Sequence, residues 1–265
     1  MKNLKDKVVW ITGASSGIGE ELAYAFAREG AFPVLSARNA DKLEQVKAKC
    51  LIFTSTCWVQ PADLSDINSL NGVVNAVLAQ AGHIDVLVNN AGRSQRSLAK
   101  ETPLEIDRII MELNFFSVVA LTKLVLPHML KNKSGHLVVI SSISGKFGFP
   151  LRTAYTASKH AVQGYFEALR AELLNEKINV TIISPGRIRT GISRNAIMAD
   201  GRPYDKMDDG QANGMAPDVC AVQIVKAIKK DRKERLVGRK EILMVYIRRF
   251  IPALYYKIVT KISPE

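Results

Sequence analysis

Short apolar runs alternate with amphipathic segments along most of the chain. The runs are rich in β-branched and other apolar residues, which predicts buried strands at residues 7–12, 33–37, 56–60, 84–88, 135–141 and 178–184. Between them, apolar residues recur at helical spacing, which predicts helices at residues 17–30, 41–49, 66–82, 103–131 and 153–175. Because such alternation is typical of βαβ units, we predict an α/β fold with a doubly wound, Rossmann-like parallel sheet. No linker-like stretch interrupts the pattern, which favours a single domain.

Two segments depart from this alternation. Residues 187–217 lose the periodicity and contain polar turn signals, so we predict an irregular lid over a substrate site. Residues 242–265 are mainly apolar but carry basic residues, and one helical stripe contains Ile247, Ile251, Leu254 and Ile258. We therefore predict a Rossmann domain at residues 1–241, followed by a tail at residues 242–265 that forms a basic, amphipathic C-terminal helix.

The composition narrows the classes of protein. With 47% hydrophobic and 23% charged residues among 265, the chain can bury a core and is not disordered. Its three cysteines are too few and too scattered for a disulfide framework or a zinc site, so we expect no metal and a reducing, cytoplasmic setting. We expect no signal peptide and, since no uninterrupted apolar stretch reaches about 20 residues, no spanning helix.

The net charge of +12 is concentrated near the C-terminus. Residues 226–265 hold 12 Lys and Arg but only 4 Asp and Glu, which accounts for +8 of that charge. Nucleic-acid binders usually spread basic residues over a face together with stacking aromatics, so we predict no nucleic-acid partner. Three interpretations of the basic tail stay open: a solvated surface helix, peripheral contact with a membrane surface, or packing on a partner subunit.

A glycine-rich turn follows the first predicted strand and opens the first helix, with the spacing G-x-x-x-G-x-G. Glycines allow a tight turn and a close approach of the backbone, and a helix N-terminus offers free N–H groups to a pyrophosphate. Such a turn can also be purely structural, but its position after the first strand favours phosphate binding. The predicted dinucleotide contacts here are Gly13, Ser15, Ser16, Gly17, Ile18 and Gly19.

The end of the second strand distinguishes the two nicotinamide dinucleotides. An acidic residue there would bind the ribose 2′-hydroxyl and repel a 2′-phosphate, whereas this chain has Ala37 followed by Arg38. An arginine can bind a phosphate in a bidentate manner, which favours NADP over NAD. The alternative is that Arg38 is an ordinary surface charge.

Four polar residues have the chemistry of a proton-transfer site. Tyr155 and Lys159 are four residues apart at a predicted helix start and therefore share one face. A nearby cation favours the phenolate and lowers the phenol pKa from about 10, which improves the phenol as an acid or base at neutral pH. Ser142 ends the preceding strand region, where its hydroxyl could bind a substrate oxygen. Asn114 lies inside an apolar helix and needs a buried partner.

Together these motifs resemble the short-chain dehydrogenase/reductase family over nearly the whole chain. The family's T-G-x-x-x-G-x-G motif is matched by residues 12–19, its N-N-A-G motif by residues 89–92, and its adenine-contacting pair by Asp63 and Leu64. Its Asn–Ser–Tyr–Lys tetrad is matched by the four polar residues above, and its P-G turn with a following threonine by Pro185, Gly186 and Thr190. Locally, the chain looks like the family's membrane-associated dehydrogenase/reductases, which act on lipophilic carbonyls, at residues 8–21, 34–38 and 94–98.

The resemblance implies a role for each residue of the tetrad. Tyr155 would be the general acid or base, and Lys159 would lower its pKa and hold the nicotinamide ribose. Ser142 would orient the carbonyl oxygen, and Asn114 would hold a water in a proton relay. Many NADP-using members carry a basic residue where this chain has Ser16, so Arg38 would discriminate between the cofactors largely alone. Further cofactor contacts would come from Asp63, Leu64, Asn90, Ala91, Gly92, Tyr155, Lys159, Pro185, Gly186, Ile188 and Thr190.

The function that these features favour is an NADP(H)-dependent oxidoreductase that interconverts a carbonyl and a secondary alcohol. Phe147, Phe149 and the irregular segment 187–217 favour a lipophilic substrate of steroid, retinoid or lipid type. The resemblance implies a homodimer or homotetramer formed through the two long helices. Two alternatives stay open: a 3-oxoacyl-carrier-protein reductase, whose acidic partner the basic residues would attract, and a non-catalytic dinucleotide-binding scaffold or redox sensor.

Overall fold

A seven-stranded parallel sheet forms the centre of the structure, a computed structural model that describes residues 2–259. In chain order the strands are β1 (Val8–Thr12), β2 (Phe32–Ser36), β3 (Trp58–Val59), β4 (Val86–Asn89), β5 (Gly135–Ile140), β6 (Ile178–Pro185) and β7 (Glu234–Val237). Their spatial order is β3-β2-β1-β4-β5-β6-β7. The direction of winding reverses between β1 and β4, which opens a crevice at the carboxyl ends of these strands. The predicted fold class is confirmed.

Helices connect the strands and cover both faces of the sheet. In chain order they are α1 (Gly17–Arg28), α2 (Ala40–Cys50), α3 (Leu70–Ala81), α4 (Leu104–Met111), α5 (Ser117–Lys131), α6 (Thr153–Glu172), α7 (Asp209–Ala212), α8 (Pro217–Lys229), α9 (Leu243–Phe250) and α10 (Pro252–Val259). On one face, α1 and α8 pack Leu22, Phe26 and Ile224 into a core cluster with the sheet. On the other face, α5 and α6 do the same with Leu121 and Phe166. Burial on both faces explains why the strands are continuous apolar runs.

The sequence pattern predicts no element for residues 217–241, but the structure contains α8 and β7 there. Strand β7 pairs with β6 at the edge of the sheet, and its first two residues, Glu234 and Arg235, are exposed. Charged residues are a common protection of edge strands against pairing with other chains, and they remove the apolar alternation that marks a strand. Much of the C-terminal positive charge therefore lies on the domain itself and not on a separate tail.

The predicted helix at residues 103–131 contains a π-helical turn at Glu112–Phe116, between α4 and α5. Among the described residues, the whole segment Leu104–Lys131 is long and apolar enough to cross a bilayer by length and composition. A buried core helix also satisfies this measure, so the prediction of no spanning helix stays a prediction. In this fold the helix packs on the sheet, because Val118, Leu121 and Val125 are buried in the core.

The C-terminal segment is helical, as predicted, but it forms two helices. Ile251 precedes Pro252 and has φ −135° and ψ 62°, which ends α9. The predicted apolar stripe faces the core only in part: Ile247 packs against a buried cluster, whereas Ile251 and Leu254 are 53% and 41% exposed. The inward-facing residue is Tyr255, whose ring packs on Phe147 at 5.7 Å between centroids and whose hydroxyl donates to the carbonyl of residue 148 at 2.9 Å. Residues 260–265 of the predicted tail lie outside the described residues.

Candidate active site

The glycine-rich turn joins β1 to α1 at the crevice. Gly13 and Gly17 have φ of +65° and +60°, a left-handed conformation that favours glycine. A Cβ at Gly19 would overlap the carbonyl oxygen of Gly13. Helix α1 begins at Gly17, and the hydroxyl of Ser16 does not cap it, so the first-turn N–H groups receive no side-chain cap from that residue. This geometry suits the binding of a pyrophosphate.

The predicted contacts at the N-N-A-G motif lie directly beside this turn. Thr12 Oγ1 accepts hydrogen bonds from the N–H groups of Asn90 at 3.0 Å and Ala91 at 3.1 Å. The side-chain amide of Asn90 donates to the carbonyl of Thr12 at 2.9 Å. A Cβ at Gly92 would lie 3.1 Å from Asn114 Oδ1 and 3.5 Å from Lys159 Nζ. The end of β4 therefore links the glycine turn to two residues of the predicted tetrad.

Three members of the predicted tetrad meet at the start of α6. Tyr155 and Lys159 are buried there, with Lys159 Nζ 5.9 Å from the centroid of the tyrosine ring. The Tyr155 phenol lies close enough to Ser142, which follows β5, for that hydroxyl to influence its pKa. Ser142 Oγ accepts a hydrogen bond from the N–H of Ser144 at 3.1 Å, and Lys159 Nζ donates to the carbonyl of Ile140 at 2.9 Å. These two hydrogen bonds hold the hydroxyl and the ammonium in place beside the phenol.

Burial changes the pKa of both titratable groups. Burial raises the pKa of Tyr155, while the hydrogen bond with Ser142 and the positive charges of Arg152 and Arg96 lower it. The net direction is opposite to the predicted lowering, and the charges that oppose burial belong to two arginines that the sequence analysis did not single out. Burial also lowers the pKa of Lys159, to about 8. Desolvation of the charged forms exceeds the stabilisation that they receive here.

Asn114 lies in the π-helical turn and has the buried partners that its position requires. Its Oδ1 accepts from the N–H of Arg93 at 2.8 Å, and its Nδ2 donates to the carbonyl of Arg93 at 2.9 Å. Nδ2 also donates to Ser158 Oγ at 3.0 Å, and Ser158 Oγ donates to the carbonyl of Tyr155 at 2.7 Å. Asn114 thus connects the N-N-A-G motif to the first turn of α6. π-Helical turns occur frequently at functional sites.

The residues predicted to contact the adenosine half lie at the ends of β2 and β3. Arg38 is exposed. Hydrogen bonds from Ser65 lower the pKa of Asp63, and the charge of Arg38 lowers it further, so these two side chains lie within electrostatic reach of each other. Leu64 belongs to the buried core. A contact of this residue with a nucleotide would therefore come from its backbone, and the predicted contact stays a prediction.

The residues after β6 approach the glycine turn from the opposite side. A Cβ at Gly17 would lie 3.1 Å from Cγ2 of Thr190, so this predicted cofactor contact lies beside the first turn of α1. Pro185 pairs with Val237 at the end of the sheet. Gly186 packs directly against the carboxylate of Glu241. Ile188 is 2% exposed, and its carbonyl accepts from the side-chain amide of Gln211.

Two buried glutamines position the tetrad and were missed by the sequence analysis. Gln95 Oε1 accepts from the N–H of Ala154 at 2.8 Å, which holds the first turn of α6. Gln163 Nε2 donates to Ser141 Oγ at 3.1 Å and, at 3.4 Å, to the carbonyl of Ser142. A signal existed for Gln163, because it lies four residues after Lys159 on the same helical face.

A cavity of about 550 Å³ lies beside this site, between the segment 187–217 and the start of α9. None of the tetrad residues lines it. Phe149 does line it, but Phe147 is 2% exposed against Tyr255 and does not, so only one of the two phenylalanines fits the predicted lipophilic pocket. The remaining lining residues are Arg187, Asp209, Gly210, Asn213, Gly214, Arg239, Lys240, Glu241 and Met244. Within residues 2–259, no group of three His, Cys, Asp or Glu side chains could hold a metal ion.

A doubly wound sheet with a glycine-rich phosphate turn and a buried Ser–Tyr–Lys group defines a dinucleotide-dependent oxidoreductase. The family model described as short chain dehydrogenase matches residues 7–200. The chain therefore belongs to the short-chain dehydrogenase/reductase family, which implies a nicotinamide dinucleotide cofactor. The resemblance noted from the sequence motifs is confirmed.

Relatives and solved structures agree with this assignment. The chain is 45% identical to a dehydrogenase/reductase SDR family protein 7-like from Anopheles gambiae, over 98% of this chain and 84% of that protein. It is 42% identical to a dehydrogenase/reductase SDR family member 7B from Xenopus laevis, over 97% and 82%. A short-chain dehydrogenase structure from Streptomyces avermitilis matches with a TM-score of 0.82 and 29% identity, over 96% of both chains. A family structure from Burkholderia phymatum in complex with NAD has a TM-score of 0.84 at 23% identity, over 100% and 98%, and shows the fold alone.

Replacing Gly19 by alanine is expected to weaken dinucleotide binding and to destabilise the fold by about 2 kcal/mol, because the backbone must move away from Gly13. Gly72→Ala in α3 is the matched control, since a Cβ there meets nothing within 4 Å and alanine favours a helix by up to about 1 kcal/mol. Fluorescence titration with NADPH and thermal unfolding measure both effects. A Gly19→Ala variant that binds NADPH as tightly as the wild type would contradict the prediction.

Proposed function

We propose that the chain is an NADP(H)-dependent oxidoreductase that interconverts a carbonyl and a secondary alcohol, with Tyr155 as the general acid or base. The observation that carries the proposal is the burial of Tyr155, Ser142 and Lys159 together, with the Lys159 ammonium 5.9 Å from the centroid of the Tyr155 ring. The glycine turn lies close by, and Gly92 links it to Lys159. A protein that only binds a dinucleotide needs no proton donor at this position, which disfavours the scaffold alternative.

The chain's own residues account for proton transfer and orientation. When bound, the dinucleotide supplies or accepts the hydride. Ser142 donates a hydrogen bond to the substrate oxygen, and Tyr155 gives that oxygen a proton during reduction. Because burial raises the pKa of Tyr155, the phenol stays protonated at neutral pH and is ready to act as the acid. Lys159 holds the ribose hydroxyls and supports the charge that remains on the phenolate.

Tyr155→Phe is expected to reduce turnover by about 10² to 10⁴, the usual contribution of a positioned general acid. NADPH affinity should change little, because the phenyl ring keeps its packing. Tyr165→Phe on the same helix is the matched control and should keep full activity. Steady-state assays with NADPH and NADH on lipophilic ketones provide the measurement, and a Tyr155→Phe variant with wild-type turnover would refute the assigned acid.

The cofactor that we propose is NADP rather than NAD. Arg38 is exposed at the end of β2, and its charge acts on Asp63 across the adenosine region. Burial lowers the pKa of Arg93, and the charge of Arg38 lowers it further, so positive charge from both arginines acts in this region. A 2′-phosphate would neutralise that charge, whereas a 2′-hydroxyl would not.

Arg38→Asp is expected to shift the ratio of kcat/KM for NADPH over NADH by about 10- to 100-fold toward NADH, because a charged hydrogen bond is lost and a repulsion is gained. Lys177→Asp is the charge-matched control, since Lys177 is exposed just before the amino end of β6, whereas Arg38 follows the carboxyl end of β2. An unchanged ratio in Arg38→Asp would contradict the NADP assignment.

The substrate that we propose is lipophilic, of steroid, retinoid or lipid type. Phe149 and Met244 line the cavity, and Met244 belongs to a helix with several exposed apolar side chains. One observation favours the second candidate, a 3-oxoacyl-carrier-protein reductase: Arg187, Arg239 and Lys240 also line the cavity and would attract an acidic carrier protein. Comparison of kcat/KM for a carrier-bound 3-oxoacyl thioester and for free lipophilic ketones decides between them.

We also propose that α9 and α10 contact an anionic membrane surface. Their outward side chains are apolar and between 41% and 71% exposed, and basic Arg248 and Arg249 lie among them. Apolar side chains beside basic ones fit the headgroup region of a bilayer. The three described cysteines are buried and free, which favours a reducing setting, so we propose that this surface faces the cytoplasm. A protease-protection assay on intact organelles tests this placement. The exposed apolar side chains are Leu243, Tyr246, Phe250, Ile251, Leu254 and Tyr256.

The double substitution Phe250→Ser and Ile251→Ser is expected to reduce binding to vesicles of phosphatidylserine and phosphatidylcholine by about tenfold or more, because two large side chains no longer enter the apolar layer. The matched control is Leu174→Ser with Val222→Ser, which removes two exposed apolar side chains elsewhere. Co-sedimentation measures the bound fraction. Equal binding by both double variants would contradict the proposal.

We propose a homodimer or homotetramer formed through α4, α5 and α6. Leu104, Ile109 and Phe116 are 57%, 47% and 47% exposed on the first of these helices and on the adjoining π-helical turn, which supports an apolar contact there. Sedimentation velocity of the purified chain measures the mass, and a monomer at micromolar concentration would contradict this assembly.

A further inference from the structure

A buried ion cluster of Arg96, Arg152 and Asp208 lies between the predicted lid and the start of α6. Arg96 follows the N-N-A-G motif, Arg152 precedes α6, and Asp208 belongs to the lid segment 187–217. The side chains of Arg96 and Asp208 are 3% and 7% exposed, and Arg96 donates to both carboxylate oxygens of Asp208. Arg152 Nη2 donates to Asp208 Oδ2 at 3.0 Å. A single carboxylate thus joins three separate segments of the active site.

Within the cluster, the Arg96 guanidinium has hydrogen-bond acceptors in addition to Asp208. Arg96 Nη1 donates to the carbonyl of Gln95 at 2.7 Å and to Ser94 Oγ at 3.2 Å. The backbone of the same segment is tied to the lid, because the N–H of Arg96 donates to the carbonyl of Ile197 at 2.9 Å. Two elements of the site thus meet at Arg96: the loop after β4 and the lid.

The cluster carries a surplus of positive charge next to Tyr155. Two guanidinium groups share one carboxylate, and the charges of Arg152 and Arg96 both act on the tyrosine. Burial lowers the pKa of Arg152 to about 10, with a further contribution from the charge of Arg96. The other charged groups around the tyrosine are Lys159 on its own helix and Arg187 after β6, which acts on Arg152. Water screens such buried charges poorly, so their effect on a neighbouring phenol is large.

We propose that Arg152 and Asp208 are positioning residues of the active site. The ion cluster holds the lid closed over the site, and its surplus positive charge favours the ionised form of Tyr155. Arg152 acts mainly through charge, because Arg96 still holds Asp208 when Arg152 is replaced. Asp208 affects both the closure of the lid and the ionisation of Tyr155, because it belongs to the lid and supplies the negative charge of the cluster. The inference rests on the proposed function, since it requires Tyr155 to titrate during catalysis.

The two substitutions are expected to move the tyrosine in opposite directions. Loss of a positive charge in Arg152→Gln raises the pKa of Tyr155, whereas loss of the negative charge in Asp208→Asn lowers it. Arg152→Lys keeps the charge and should restore the wild-type profile. A merely structural role would move both variants in the same direction, or would make the lysine variant as impaired as the glutamine variant.

The experiment measures kcat/KM for alcohol oxidation as a function of pH, where the phenolate is the base. Below the pKa of Tyr155, Arg152→Gln should be about tenfold slower than the wild type, which corresponds to one pKa unit. In Asp208→Asn, kcat/KM should rise with pH at a lower pH than in the wild type. Hydrogen–deuterium exchange of residues 187–217 gives a second readout without turnover: Asp208→Asn should lose protection, while Arg152→Gln should keep most of it.

Several outcomes would overturn the inference. These are shifts of the same sign in Arg152→Gln and Asp208→Asn, no rescue by Arg152→Lys, or wild-type exchange of the lid in Asp208→Asn. Failure of the proposed function looks different, because it would leave Tyr155→Phe active. The exchange experiment tests the lid contact in either case.

Discussion

The buried hydrogen bonds around the first turn of α6 fix the position of Tyr155, and the functional features of the chain depend on them. Gln95 holds the N–H of Ala154, and Asn114 reaches the same turn through Ser158. Gln163, one turn beyond Lys159, holds the strand end from which Ser142 extends. Since buried polar groups without partners are costly, each of these side chains restricts its neighbours to one arrangement.

The same contacts bring the dinucleotide turn and the proton donor into one rigid unit. Thr12 and Asn90 bind the ends of β1 and β4 to each other, and the next residues of the N-N-A-G motif reach Asn114. A cofactor held by the glycine turn is therefore oriented by the same backbone that positions the tetrad. In the proposed reaction, burial and arginine charge act on the ionisation of Tyr155, and the chain would control orientation and proton supply while the cofactor would supply the hydride.

Features that depend on local pattern were predictable from the sequence. Strands β1, β2, β4, β5 and β6 are largely buried apolar runs, and the glycine turn and the Tyr155–Lys159 pair have fixed local spacing. The need of Asn114 for a buried partner was also predictable, although the partner itself was not. Edge strand β7 was missed because its charged residues obscure the alternation, and the burial of the Leu64 side chain could not be read from its motif position.

Contacts between distant segments could not be predicted. Arg96 and Asp208 are 112 residues apart, and Tyr255 meets the carbonyl of residue 148 across 107 residues. In both contacts, the sequence around each residue gives no sign that it has a distant partner, because each is an ordinary residue type in its own segment. The residues of each pair meet only because segment 187–217 and the C-terminal helices pack on the rest of the domain. Both contacts involve segments outside the sheet and its connecting helices: Asp208 lies in segment 187–217, and Tyr255 lies in α10.

The most direct test of the account is a crystal structure of the chain with NADPH and a ketone-like inhibitor. The account predicts that the hydroxyls of Tyr155 and Ser142 both bind the inhibitor's carbonyl oxygen, with its carbonyl carbon facing the nicotinamide. A closed complex in which the Tyr155 hydroxyl points away from that oxygen, or in which the dinucleotide lies away from the glycine turn, would contradict it.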